Sequence, residues 1–97
     1  MILVDPGALV DFEQIFAFHL EFDEQWALGV IETIRRAIMI LDEHPRIGRP
    51  VGTGELRELV ISVGKTGSLA LYQYEELDDL VRVLAIRHQR EGGYRGR

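Results

Sequence analysis

Hydrophobic residues recur at helical spacing through the first half of the chain and alternate with polar ones through the second. Met1 to Val4 is a short apolar run that reads as a first strand. Asp5-Pro6 then supplies an N-cap and a proline at the first helical position, so a helix is expected to start there. Ala8, Phe12, Ile15, His19 and Phe22, flanked by Leu9, Phe16 and Leu20, form its broad apolar face. Asp23 is the next N-cap. From Ala27 the series Val30, Ile31, Ile34, Ala37, Ile38, Leu41 follows the spacing of a buried helix stripe. That helix is expected to end near His44, because Pro45 cannot continue it and restricts the residue before it. The short connection between the two makes an antiparallel helical hairpin.

Arg46 to Glu55 carries Gly48, Pro50, Gly52 and Gly54 and reads as a loop, after which the period changes. Arg57, Leu59, Ile61 and Val63 share one face of a strand. Leu69 to Tyr74 and Leu80 to Arg87 are rich in strand-forming residues, and the last is apolar on both faces, as an interior strand would be. Gly64 to Gly67 and Glu75 to Asp79 are connections of hairpin length. The expected order is strand, helix, helix, strand, strand, strand. This is an α+β fold with the helical hairpin packed on one face of a curved, mainly antiparallel sheet.

Ninety-seven residues suit one domain over 1–97, burying roughly 60 to 65% of the unfolded surface, so a bound partner would add useful stability. Glycines at 92, 93 and 96 suggest a flexible tail over 92–97. The chain has no cysteine, which excludes disulfides and thiolate metal sites and suits a reducing compartment. No basic, apolar leader and no membrane-length run occurs, so the expected location is the cytoplasm, with no membrane partner. The net charge of −5 is unevenly spread: nine acidic and two basic residues precede Pro45, whereas nine basic and seven acidic follow from there. Such a gradient orients a protein toward a polyanion or an acidic partner, or else simply leaves a solvated basic tail.

Several suggestive patterns carry no site. Gly64-Lys65-Thr66 lacks the upstream glycine and following helix of a phosphate-binding loop and reads as a turn. The acidic turn Glu75 to Asp79 lacks the ligand spacing of a calcium loop. His19, His44 and His88 are too far apart for a zinc pattern, so neither metal nor cofactor is expected. His19 reads instead as a satisfied residue at the edge of the first helix's apolar face, and His44 as a support for a helix C-terminus.

Arg57, Arg87 and His88 stand at ends of predicted strands, where side chains can converge across a sheet. Two guanidinium groups can stabilise charge on phosphoryl oxygens during attack by a ribose 2′-hydroxyl, and a histidine titrating near neutrality can protonate the leaving oxygen. Glu91 is a candidate base, and Tyr94 a candidate for base stacking or proton transfer. The plainer alternative is that Arg57 pairs with Glu55 or another carboxylate while Arg87 and His88 merely end a buried strand.

Two stretches carry a resemblance: Pro45-Arg-Ile-Gly-Arg-Pro-Val51 running into Leu56-Arg-Glu-Leu-Val-Ile61, and Leu84-Ala-Ile-Arg-His-Gln-Arg-Glu-Gly-Gly-Tyr94. With the order of elements, they resemble the RelE/ParE toxins of type II toxin–antitoxin systems, also described as plasmid stabilisation proteins. The resemblance implies a toxin neutralised by a cognate antitoxin, a small DNA-binding protein whose disordered carboxyl-terminal segment folds over it. RelE-like members cleave mRNA on the ribosome with lysines as well as arginines near the phosphate, and Arg57 and Arg87 match positions they use. This chain has one lysine, Lys65, in a turn, and its net negative charge opposes docking to ribosomal RNA. ParE-like members poison DNA gyrase through a binding surface, which an acidic toxin suits better. The ParE-like branch is therefore favoured, with the ribosome-dependent endonuclease, and a non-toxic module regulating transcription with its antitoxin, as alternatives. Trp26, Thr33 and Ile40 recur every seven residues opposite much of the second helix's main stripe, beside Arg36 and Met39. They are candidates for the antitoxin contact unless they pack on the first helix.

Overall fold

The computed structural model describes residues 1–63 and 66–88. Its elements are β1 (Ile2–Val4), α1 (Pro6–Leu20), α2 (Glu24–Ile40), β2 (Arg49–Pro50), β3 (Leu56–Val63), β4 (Thr66–Glu75), a 3₁₀ turn (Glu76–Asp78) and β5 (Leu80–His88). The two helices pack on one mixed five-stranded sheet of order β1-β5-β4-β3-β2, an α+β architecture. All pairings are antiparallel except β1 with β5, and β5 is interior, between β1 and β4.

Local chemistry sets the helix ends. Pro6 opens α1, but the Asp5 carboxylate does not cap it and lies 3.5 Å from Arg82 instead. Asp23 does cap α2, its Oδ1 accepting the N–H of Trp26 at 3.2 Å. Two expectations about the helices need correction. α1 stops at Leu20, so Phe22 lies beyond it and is 74% exposed rather than on the apolar face. α2 stops at Ile40, and His44 lies in the turn that follows the helix, its backbone N–H bonded to Ile40 O.

The core lies between the helices and one sheet face. Ala8 and Ile15 of α1 and Val30, Ile34 and Ile38 of α2 meet Ile61, Ala70, Tyr72, Val81, Val83 and Ile86. Strand alternation explains which strand residues face inward, with one interruption. Leu71 pairs with Ala85 but Tyr72 with Val83, so Leu84 is the extra residue of a β-bulge. The inward set on β5 therefore runs Val81, Val83, then Ile86 and His88, and Arg87 is turned to the other face. Where β1 ends, α1 takes over the edge of β5: Asp11 Oδ2 accepts the N–H of Ile86 at 2.8 Å.

The segment read as a loop from Arg46 to Glu55 contains the two-residue strand β2, which extends the sheet beyond β3. Arg49 holds it there through a 2.8 Å ion pair with the buried Glu58, its opposite number on β3. Among the described residues no helix is long and apolar enough to cross a membrane.

Candidate functional site

The strand register decides whether the candidate catalytic residues can meet. Arg57 pairs across β4 with Tyr72, which pairs with Val83. His88 pairs with Ser68, which pairs with Ile61. β3 and β5 run the same way on either side of β4, so the start of β3 and the end of β5 are opposite ends of the sheet. Ser68 and Tyr72 are four residues apart, roughly 13 Å along the strand. Arg87 is separated further, because it pairs with Leu69 and so projects from the face away from Arg57. Arg57 thus stands apart from Arg87 and His88, which are adjacent in sequence but project from opposite faces. Glu91, Tyr94, Lys65 and the tail 92–97 lie outside the described residues.

Arg57 has a local occupation. Its Nη1 donates to Gly48 O at 2.7 Å and to Arg46 O at 3.1 Å, pinning the loop that leads into β2. Tyr72, fully buried, completes the clamp by accepting the Gly48 N–H and donating to Pro45 O. Burial pushes the Tyr72 phenol above its ordinary range, although Gly48 and the nearby Arg57 pull it back. The hollow beside Arg57, about 240 Å³, is also lined by Glu55 and Glu76, two carboxylates that oppose a phosphate there. Arg46 spans it, 3.2 Å from Glu76 and 5.0 Å above the Tyr74 ring. Arg57 does not pair with Glu55; that carboxylate accepts from Gln73.

At the other end, a cleft of about 460 Å³ between α1 and β5 is lined by Asp11, Gln14, Ile15, Phe18, Arg87 and His88 among others. His88 is 6% exposed, and its Nε2 lies 3.2 Å from Nε2 of the equally buried His19. His19 is therefore a core residue rather than a boundary one. Phe18 packs edge-on against both rings, and Trp26 edge-on against His19.

Trp26, Met39 and Ile40 on α2 are exposed, with Thr33 half-buried between them, and Phe18, Leu20 and Phe22 add apolar surface at the helical turn. Arg36 is exposed but shares Glu32 with Arg35 at hydrogen-bonding distance.

The family model for the ParE toxin of the type II toxin–antitoxin system parDE matches residues 2–92. The chain belongs to the ParE toxin family. It is therefore a type II toxin–antitoxin toxin by family, with the fold that its sequence resemblance implied. Solved structures show the same fold at low identity. The chromosomal ParDE system of P. aeruginosa matches at 17% identity with a TM-score of 0.74, covering 90% of this chain and 92% of that one. The intact E. coli RelBE complex matches at 17% and 0.66, covering 90% and 93%. The isolated E. coli RelE toxin also matches at 17% and 0.66, covering 91% and 82%. No curated protein sequence matches.

Asp11 and the His19–His88 contact escaped the sequence reading. The histidine at the fourth place of the stripe Ala8, Phe12, Ile15, His19 was the available signal, since a polar ring on a core stripe needs a partner.

Proposed function

We propose that this ParE-family toxin acts by binding DNA gyrase and trapping its cleaved-DNA complex, without catalysing a reaction of its own, and that a cognate antitoxin holds it inactive. The observation that carries the reading is the separation of Arg57 from Arg87 and His88 across the sheet, with Arg57 engaged in clamping a loop. General acid catalysis by His88 would also require a proton path from a ring that is 6% exposed and packed on His19. The match to the ParE family model and the acidic net charge point the same way.

The antitoxin's carboxyl-terminal segment is placed on the exposed apolar surface of α2, with Trp26, Met39 and Ile40 as anchors and Arg36 as a polar neighbour at its rim. The alternative of an mRNA endonuclease acting on the ribosome is tested with alanine at Arg87. A nuclease loses turnover while still binding ribosomes. A gyrase poison with this variant cuts no mRNA before or after the change, and its affinity for gyrase falls or stays as it was.

A further inference from the structure

Helix α2 carries a second stripe besides the one that packs on the sheet. Trp26, Gly29, Thr33, Arg36 and Ile40 follow the 3, 4, 3, 4 spacing of a face that meets another helix. Trp26, Gly29, Arg36 and Ile40 are exposed, Thr33 is half-buried, and none of the five belongs to the core. In this stripe stands a glycine, the residue type that destabilises a helix interior most after proline.

Among the described residues nothing accounts for that glycine. Its backbone is ordinary right-handed helix, so no positive φ calls for it. Apart from the adjoining turns of its own helix, no described atom lies within 4 Å of where a Cβ on Gly29 would stand, so no close packing calls for it either. Alanine there would make folding about fivefold more favourable. What the glycine does provide is a notch beside the exposed Trp26. A second helix can approach α2 there at the short end of the usual separation of about 8–10 Å. Charge further along the stripe is also defined. Arg35 and Arg36 share the single carboxylate of Glu32, at 2.8 and 3.0 Å, which leaves one cation in excess at the Arg36 end.

We propose that Gly29 is the point of closest approach between α2 and a helical stretch of the antitoxin's carboxyl-terminal segment. That stretch sets a small residue into the notch, packs apolar side chains against Trp26 and Ile40, and places a carboxylate at Arg36. The inference rests on the reading that the antitoxin covers α2, and adds the form of the covering segment and the residue that admits it. A helix is the form that a 3, 4, 3, 4 face accepts, because an extended strand repeats every two residues. The helix stability that the free toxin forgoes at Gly29 is offset in the complex by the closer packing.

The test compares the full chain with its Gly29→Ala and Trp26→Ala variants, for stability in urea by circular dichroism and for affinity toward the full-length cognate antitoxin. Gly29→Ala is expected to raise the folding constant about fivefold and yet weaken antitoxin binding about tenfold. A purely structural role for position 29 would not give opposite signs in the two readouts. The measurement uses no gyrase, so it is independent of the reading of the toxin's target. Wild-type affinity in Gly29→Ala overturns the inference, and Trp26→Ala then shows where it failed. A loss of affinity in Trp26→Ala keeps the antitoxin on α2 without a close approach at Gly29, whereas no loss removes it from α2 altogether.

Discussion

The Tyr72 hydroxyl sits 2.9 Å from the backbone nitrogen of Gly48, in space where a Cβ on Gly48 would come within 2.7 Å of that oxygen and 2.9 Å of Glu58 O. Only a residue without a side chain lets the loop lie this close to β4. Replacing Gly48 with alanine is expected to lower stability by about 1–3 kcal/mol through overpacking, read as a shifted urea midpoint.

Tyr72→Phe tests the same clamp from the other side. It leaves the Gly48 N–H and Pro45 O without the phenol, so a loss of about 1–3 kcal/mol is expected if these groups stay buried. Combined with Gly48→Ala, the two losses are expected to be less than additive, because both disrupt one contact.

Arg57→Ala removes two hydrogen bonds to the loop's carbonyls, and a cost of about 1–3 kcal/mol is expected for bonds from a charged donor. On the proposed binding mechanism, Arg57 should affect stability without changing the action on the target per folded molecule. Activity assayed well below the variant's melting temperature separates the two effects.

The raised Tyr72 phenol has a consequence at high pH. The unfolded chain loses this proton near its ordinary value of 10.0, while the folded protein keeps it, so the unfolded state binds fewer protons there. Stability is full below pH 10 and falls as pH rises from there through the folded value. Denaturation between pH 9 and 11 should show this slope, and Tyr72→Phe should flatten it.

Asp79 has φ 49° and ψ 49°, a left-handed conformation for which its Cβ is a burden, while its Oδ1 accepts from the Tyr74 hydroxyl at 3.0 Å. Asparagine tolerates this conformation and keeps an acceptor oxygen, so Asp79→Asn is expected to be near neutral, whereas Asp79→Ala should cost about 1 kcal/mol. Melting temperatures of the two variants check the order.

Helical periodicity revealed both helices because each buries a continuous stripe, and Asp23 announced the start of α2 because its cap is local chemistry. The ends were less legible. Phe22 fits the α1 stripe by spacing, but the chain has already turned toward Asp23 by then. β2 was hidden in a glycine-rich loop because two residues have no period, and it exists through a tertiary contact, the Arg49–Glu58 pair. Arg57 stands apart from Arg87 and His88 for a reason that a one-dimensional reading cannot supply. Arg57 is the second residue of β3 and Arg87 the last but one of β5, and only the sheet order shows that these are opposite ends. The bulge at Leu84 then decides that His88, not Arg87, faces the helices.

The most direct test of the central claim is a plasmid reaction with purified gyrase and toxin freed from its antitoxin, scored for supercoiled, relaxed and cleaved DNA. The expected result is cleaved plasmid that accumulates with toxin and disappears when cognate antitoxin is added first. Unchanged gyrase products from folded, antitoxin-binding toxin, together with cut mRNA on ribosomes, would contradict the claim.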